Sequence, residues 1–279
     1  DINAVLKVLK SDFITQGPIL PKFETEISKK VNSQYSIAVN SATSALHLAC
    51  LALDVTKGDY VWTSPISFVA SANCALYCGA KVDFVDIDPF SGLININCLR
   101  LKLEKAKKEN CLPKVLVAVH LGGASCNMYE INLLAREYNF LIIEDASHAI
   151  GGTYRNEPVG NCKYSSITVF SFHPVKIITT GEGGVATTND YLVAEKMAKL
   201  RSHGIVKDPS KFKSKDSGSW MYEQQLLGFN YRMNDIQAAL GLSQLKRLDE
   251  IVIERNRQLS FYYDIFEGLP LDFLKISKD

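Results

Sequence analysis

Short apolar runs of strand length alternate with longer amphipathic stretches through most of this chain. The apolar runs predict strands at 36–39, 60–63, 82–85, 115–119, 140–143, 166–170 and 185–188. Apolar residues at helical spacing predict helices at 1–13, 41–53, 67–77, 99–109 and 128–138. This alternation indicates a mainly parallel sheet with helices on both faces, and ligands of such sheets bind beyond the carboxyl ends of the strands.

The alternation ends near residue 235, where one long helical pattern begins. Asn234 or Asp235 provides its N-cap, the pattern continues to about residue 263, and Gly268 and Pro270 end it. We therefore expect a large domain at 1–235 and the start of a small C-terminal domain at 236–279, with the remainder of that domain absent from the sequence. A polar stretch at 207–219 predicts a surface loop, with an active-site lid as the alternative.

Composition argues against several classes of function. Apolar residues make up 47% of the chain and charged residues 22%, as in soluble enzymes, and the net charge of +1 favours neither nucleic acid nor a membrane surface as a partner. No apolar run reaches the roughly 18 residues of a membrane span. The seven cysteines lack a Cys-x-x-Cys pair and a zinc-ligand spacing, so we expect a cytoplasmic protein without a metal site.

Lys176 is the first candidate for chemistry. It follows the predicted strand 166–170, ends the segment SFHPVK at 171–176, and precedes a segment of threonines and glycines. A lysine that is desolvated at the end of a buried strand can be a neutral amine, which Schiff-base chemistry requires. A lysine that only contributes to solubility would not be expected at the end of a buried strand.

A second predicted strand, 140–143, leads into the carboxylates Glu144 and Asp145. A lysine for the aldehyde and an aspartate for the pyridinium nitrogen are the two protein groups that pyridoxal phosphate (PLP) needs. The alternative is that Asp145 caps the next helix. His148 favours the PLP hypothesis, because it would place a second polar group near the ring.

The segment NSATS at 40–44 joins the first predicted strand to the first helix of the sheet. Small hydroxyl residues at a helix N-terminus combine free N–H groups, hydroxyls and the positive end of the helix dipole, which together bind phosphate. An ordinary Ser or Thr N-cap is the alternative. Ser171 and Lys176 favour the phosphate site, because one cofactor needs all these groups.

The sequence does not assign a site role to the other histidines or to one glycine-rich segment. His120 and His173 either lie in the core or face the site, whereas His47 and His203 are expected to be structural. The segment GEGGVA at 181–186 satisfies the letter of a dinucleotide motif. It lies in mid-chain and leads into a predicted strand, whereas a dinucleotide motif follows the first strand and opens a helix. It therefore does not predict a dinucleotide site.

Six motifs together resemble those of the DegT/StrS-type sugar aminotransferases. They follow one another in the family's order, at 40–46, 64–70, 144–149, 171–179, 201–204 and 228–233. The resemblance implies a PLP-dependent transferase fold of type I, like that of aspartate aminotransferase. It also implies a large α/β/α domain, a small C-terminal domain, and a homodimer with shared active sites.

The resemblance implies a role for each site residue. Lys176 would bind PLP covalently and carry the proton, Asp145 would pair with the ring nitrogen, and His148 would lie near the ring hydroxyl. Phe68 would stack on the ring. Phosphate contacts would come from Ala42, Thr43 and Ser171, and from Asn230 of the partner subunit. Within a substrate segment at 1–20, the sugar nucleotide would be contacted by Asp12, Phe13, Ile14 and Thr15.

The implied reaction moves an amino group from glutamate to the 4-keto carbon of a UDP-linked 4-keto-6-deoxy sugar, as in the synthesis of deoxysugars for cell-surface polysaccharides. A 3-keto sugar is the alternative substrate. A PLP-fold regulatory protein without turnover and an NAD enzyme are the alternatives from other classes. Relatives with histidine in place of the Schiff-base lysine are dehydratases, so Lys176 favours transamination.

Overall fold

The computed structural model describes residues 1–213 and 220–275. The helices in this part of the chain are α1 (Ile2–Leu9), α2 (Ile19–Val31), α3 (Ala42–Ala52), α4 (Ala70–Tyr77), α5 (Ile96–Glu109), α6 (Met128–Tyr138), α7 (Tyr191–Leu200), α8 (Asp235–Leu245) and α9 (Leu248–Ile265). The strands are β1 (Tyr35–Val39), β2 (Tyr60–Thr63), β3 (Lys81–Phe84), β4 (Val115–Val119), β5 (Leu141–Asp145), β6 (Thr153–Tyr154), β7 (Glu157–Pro158), β8 (Ile167–Ser171), β9 (Gly184–Thr188), β10 (Ile205–Val206) and β11 (Glu223–Gln224).

The main sheet has seven strands in the order β1-β9-β8-β5-β4-β2-β3. Strand β9 is antiparallel to both of its neighbours, and the other adjacent pairs are parallel. Two short antiparallel ribbons, β6-β7 and β10-β11, lie outside this sheet. The prediction of a mainly parallel sheet is confirmed.

Helices cover both faces of the sheet, as strand β4 shows. Its residues alternate between the faces because successive side chains of a strand point in opposite directions. Val115 and Val117 pack in a cluster with residues of α3 and α4, whereas Leu116 and Ala118 pack in a cluster with residues of α5 and α6. Strands buried on both faces are continuously apolar, which is why β4 was recognisable in the sequence.

Helix α2 was not predicted from the sequence, although its signal is present. Leu20, Phe23, Ile27 and Val31 are buried at helical spacing and pack with Phe170 of β8. Two predicted helices are also shorter than expected. Helix α1 ends at Leu9, where the Ser11 hydroxyl bonds to the Val8 carbonyl oxygen at 2.8 Å, and α4 begins only at Ala70.

The long helix predicted from residue 234 to 263 is wrong, because the structure has two helices there. Helix α8 ends at Leu245 and α9 begins at Leu248. Arg247, between them, has φ −107° and ψ 7°, outside the helical range. Leu248 is fully buried in the cluster that contains α2, so the change of direction places this side chain in the core.

The division into domains at 235/236 stays a prediction. Residues 276–279 of the proposed second domain and residues 214–219 of the predicted loop lie outside the described residues. The described part of that loop contains one short 3₁₀ turn at Pro209–Lys211 and is mostly exposed. Within residues 1–213 and 220–275, no helix combines the length and the apolar character needed to cross a membrane.

Asp235, the first residue of α8, is hydrogen-bonded to the start of α2. Its carboxylate is fully buried and accepts hydrogen bonds from the backbone N–H groups of Gly17 at 2.8 Å, Ile19 at 2.8 Å and Leu20 at 3.3 Å. Helix α2 has no side-chain cap from its own N-cap residue, Pro18. A residue of α8 therefore caps α2, and its negative charge lies at the positive end of the α2 dipole.

We expect Asp235→Ala to lower the free energy of unfolding of the cofactor-free protein by about 3 kcal/mol or more. The substitution leaves three N–H groups without their charged acceptor in a buried site. Urea unfolding followed by circular dichroism measures the change. Asp249→Ala is the matched control, because it removes an exposed carboxylate that pairs with Lys30 on the surface. Equal losses in the two variants would contradict this role of Asp235.

Candidate active site

A cavity of about 410 Å³ lies at the carboxyl ends of β5 and β8, where a parallel sheet of this kind binds its ligands. Asp145 is the last residue of β5 and Ser171 is the last residue of β8. The cavity wall brings together residues that are up to 142 positions apart in sequence, from Ser41 to Gly183. Those predicted from the sequence are Ala42, Thr43, Phe68, Asp145, His148, Ser171 and Lys176.

Asp145 is buried, and both of its carboxylate oxygens accept hydrogen bonds. The Ser71 hydroxyl donates to Oδ2 at 2.6 Å. The Ser147 hydroxyl donates to Oδ1 at 2.6 Å, and the Ser147 backbone N–H donates to the same oxygen at 3.2 Å. An ionised carboxylate has about four acceptor sites, so these donors leave capacity for the N–H of a protonated ring.

Lys176 lies in the loop that follows β8. Desolvation lowers the pKa of its amine, and the nearby charge of Asp145 opposes that shift without cancelling it. The loop is anchored on both sides of the lysine. The Lys176 N–H donates to the His173 carbonyl oxygen at 2.9 Å, and Arg255 donates to the Lys176 carbonyl oxygen at 3.2 Å. The loop therefore presents an amine that gives up its proton more readily than a surface lysine.

The N-terminus of α3 forms the third part of the cavity. Ser41 caps this helix by accepting a hydrogen bond from the Ser44 N–H at 3.1 Å. The N–H groups of Ala42 and Thr43 belong to the first turn, which has no carbonyl partner within the helix. Gly184 allows β9 to approach this turn, because a Cβ at that residue would lie 2.5 Å from the Ala42 nitrogen.

These three parts fit PLP. The first turn of α3 suits the phosphate, since N–H groups and the helix dipole attract anions there. Asp145 is a carboxylate with acceptor capacity left, and Lys176 is an amine with a lowered pKa. The cavity that they share is of the size expected for a cofactor site.

His148 lines the same cavity and is held in one tautomer. The Gly122 N–H donates to its Nδ1 at 3.3 Å, so Nδ1 is an acceptor and the ring proton lies on Nε2. Desolvation lowers the pKa of His148, the charge of Lys176 lowers it further, and Asp145 acts in the opposite direction. His148 is therefore a neutral hydrogen-bonding group at the cavity wall at pH 7.

His120 and His173 could each lie in the core or face the site, and the structure places them differently. His120 is fully buried and its Nε2 lies 2.8 Å from Oε2 of Glu144, so it belongs to the core. The Cys126 N–H donates to its Nδ1 at 3.2 Å, so both ring nitrogens have partners inside the core. His173 instead lines the cavity. His47 packs against aromatic rings, as expected of a structural residue.

The other predicted site residues do not line this cavity in the single chain. Asp12 and Phe13 line a different cavity of about 930 Å³, between α1, α2 and α8. Ile14 accepts a hydrogen bond from the Asp235 N–H through its carbonyl oxygen, and Thr15 is exposed. Asn230 is exposed and forms an isolated bridge with Ser202.

Ser71 and Ser147, which hold Asp145, were not predicted from the sequence. The contact of Ser147 with Asp145 could have been predicted, since a serine two residues after an aspartate often bonds to its carboxylate. The contact of Ser71 could not have been predicted, because Ser71 lies 74 residues from Asp145 in sequence. The start of its helix was also predicted three residues too early. Within the described ranges, no group of three or more His, Cys, Asp or Glu residues could hold a metal ion.

The sequence profile of the DegT/DnrJ/EryC1/StrS aminotransferase family matches residues 1–279. The chain belongs to this family. It is therefore an aminotransferase of PLP fold type I that uses PLP as its cofactor. When bound, PLP supplies an aldehyde that takes up the amino group and a protonated ring that withdraws electrons from the reacting carbon.

Relatives of known name are similar to the aminotransferase over nearly its whole length. The UDP-4-amino-4,6-dideoxy-N-acetyl-beta-L-altrosamine transaminase of Campylobacter jejuni is 41% identical over 267 residues, which are 96% of this chain and 67% of the relative. The GDP-perosamine synthase of Caulobacter vibrioides is 39% identical over 262 residues, 92% of this chain and 65% of the relative. The aminotransferase thus spans about two thirds of their length.

Solved structures agree with this assignment. Helicobacter pylori PseC, described as an aminotransferase involved in the biosynthesis of pseudoaminic acid, superimposes with a TM-score of 0.85 at 35% identity. The superposition covers 96% of this chain and 68% of PseC. The fold class predicted from the sequence is confirmed.

Proposed function

We propose that the aminotransferase moves an amino group from L-glutamate to the 4-keto carbon of a UDP-linked 4-keto-6-deoxy sugar. The observation that carries the proposal is the joint placement of Lys176 and Asp145 in one cavity beside the first turn of α3. The names of the relatives narrow the substrate, because the Campylobacter jejuni transaminase is named for a UDP-linked 4-amino-4,6-dideoxy sugar.

Seven residues of the cavity wall have a proposed role. Lys176 holds the cofactor covalently and then moves a proton at its amine nitrogen, and the lowering of its pKa by desolvation favours the neutral amine that this task needs. Asp145 balances the positive ring nitrogen. Ala42 and Thr43 bind the phosphate through the first turn of α3, with Ser171 beside them. His148 orients the ring hydroxyl, and Phe68 covers one face of the ring.

The proposal is tested with ¹⁵N-labelled glutamate and a set of nucleotide-linked keto sugars. We expect ¹⁵N in the 4-amino product of the UDP-linked 4-keto-6-deoxy sugar, together with 2-oxoglutarate, detected by mass spectrometry. A GDP-linked 4-keto sugar and a UDP-linked 3-keto sugar serve as controls for nucleotide and keto carbon. Preferential labelling of the 3-keto sugar would replace the proposal by its alternative. If no sugar is labelled and glutamate releases no 2-oxoglutarate, a regulatory protein without turnover is favoured.

We also propose that the active sites are shared between two copies of the chain. Large exposed apolar side chains support this arrangement, both at the cavity and next to Asn230. Phe68 is 72% exposed at the cavity wall, and Leu227 is 85% exposed three residues before Asn230. Apolar surface of this kind marks protein–protein contacts. Asn230 of one subunit would bind the phosphate in the site of the other.

Mixing inactive Lys176→Ala chains with inactive Asn230→Ala chains is expected to restore activity. In a heterodimer both changes fall in one site, and the other site is intact, so activity should return to about half of the parent level per heterodimer. Steady-state turnover after subunit exchange measures it, with exchange followed by native mass spectrometry.

The matched control mixes Lys176→Ala chains with Asp145→Asn chains. Both residues act in the site of their own chain, so every site of this heterodimer carries one change and activity should not return. Recovery in both mixtures, or in neither despite complete exchange, would contradict the sharing of sites through Asn230.

A further inference from the structure

We propose that Ser71 and Ser147 are positioning residues that keep the carboxylate of Asp145 ionised and the shared proton on the ring nitrogen of bound PLP. The inference rests on the proposed role of Asp145 as the partner of that nitrogen. It adds two residues, from α4 and from the turn after β5, to the machinery of the site.

The two serines bind opposite oxygens of one carboxylate. Ser71 reaches Oδ2 and Ser147 reaches Oδ1, each with its hydroxyl at 2.6 Å, and the Ser147 N–H adds a third bond at 3.2 Å. The carboxylate plane is therefore fixed from both sides. Hydroxyl bonds of this length to an ionised oxygen belong to the strong class of hydrogen bonds.

The direction of these hydrogen bonds follows from the chemistry of the carboxylate. An ionised carboxylate only accepts, so the fully buried Ser71 must donate to Asp145. Ser67 lies 2.6 Å from the Ser71 oxygen. Because Ser71 has already used its one proton, Ser67 donates to Ser71. A chain of two hydroxyls thus leads from the cavity wall, where Ser67 lies, to Asp145.

This arrangement decides where the shared proton resides. Hydrogen bonds to a carboxylate stabilise its charged form relative to the neutral acid. With the donors in place, Asp145 is a weak base and the proton stays on the ring nitrogen. Removal of the donors favours transfer of the proton from the ring nitrogen to Asp145, which leaves the total charge of the pair unchanged.

Other charged groups around Asp145 do not make the same contact. Lys176 and His148 line the cavity with it and act on it through charge alone. Glu182 and His173 also line the cavity, with no hydrogen bond to Asp145 in the part of the chain that the structure describes. Glu144, one residue earlier in β5, is held by His120, Ser165 and Thr168. Among the side chains around Asp145, the two serines are therefore the ones that donate hydrogen bonds to its carboxylate.

The proposal is tested by the ¹⁵N NMR signal of PLP labelled at the ring nitrogen, in the parent and in Ser71→Ala, Ser147→Ala and the double variant. We expect the signal to move from the protonated towards the unprotonated value. Each hydroxyl should shift the proton equilibrium by about 10- to 100-fold, the range for a hydrogen bond to a charged group. Ser165→Ala is the matched control, because it removes a hydroxyl from Glu144 instead, and its signal should equal that of the parent.

An unchanged ¹⁵N signal in the double variant with PLP bound would overturn the proposal. If Ser71→Ala does not fold, Ser71→Cys keeps a donor at this position, although a larger and weaker one, and should give an intermediate shift. Asp145→Asn separates this inference from the proposed function. A signal that moves in Asp145→Asn but in none of the serine variants rejects only the role of the serines. A signal that remains at the protonated value in Asp145→Asn rejects the role of Asp145 itself.

Discussion

Lys176→Ala is expected to abolish covalent attachment of PLP and to lower turnover by roughly 10⁴-fold, the upper range for loss of a general acid–base group. Lys176 lines the cavity, and desolvation lowers the pKa of its amine. Borohydride reduction followed by peptide mass mapping locates the attachment, and release of 2-oxoglutarate from glutamate measures the turnover.

Lys163→Ala is the control for this experiment. Lys163 is half exposed and pairs with Glu157 outside the cavity, so its loss should leave both attachment and turnover unchanged. Mapping of the reduced cofactor to another lysine, or parent turnover in Lys176→Ala, would show that the amine of this site lies elsewhere.

Asp145→Asn is expected to fold and to bind PLP, but to lose activity by roughly 10²- to 10³-fold. That is the range for removal of one preorganised electrostatic contact. A neutral amide carries no charge to balance a protonated ring nitrogen. The amide oxygen can still accept from one of the two serines, so the side chain remains anchored. Turnover per bound PLP measures the effect, with the cofactor quantified by absorbance.

Glu144→Gln separates this effect from structural damage. Glu144 is equally buried and lies next to Asp145, but its partners are His120, Ser165 and Thr168. We expect its substitution to lower the melting temperature and to leave turnover per bound PLP close to that of the parent. Equal loss of turnover in the two variants would mean that Asp145 acts only through the fold.

Strands in the middle of the sheet could be predicted because they are buried on both faces and are therefore continuously apolar, as in Val115–Val119. The helix boundaries were harder. Nothing local in the sequence marks the turn at Arg247, which depends on the burial of Leu248 against distant residues. The start of α2 likewise depends on Asp235, more than 200 residues later. Such boundaries are set by tertiary contacts that a local pattern does not contain.

In the site, too, the residues marked by a local pattern could be predicted and those placed by tertiary contacts could not. Asp145 and Lys176 follow apolar strands, so their placement at one edge of a parallel sheet follows from the pattern itself. Ser71 could not be assigned, because its partner becomes a neighbour only when α4 packs on the sheet. The assignments of Asn230 and of residues 12–15 rested on resemblance alone, and they stay predictions.

The pairing of β1 with β9 has a consequence for biosynthesis. Strand β1 lies at the edge of the sheet and is hydrogen-bonded to β9 alone among the described strands, with Tyr35 opposite Thr188. Roughly 150 residues must be translated between them, which takes about 8 to 30 seconds at 5–20 residues per second. Until then β1 has no strand partner, and the turn at Ser41 that follows it has no Gly184 beside it. The α3 end of the cavity is encoded first and is completed only after the strand that bears Asp145 has been synthesised.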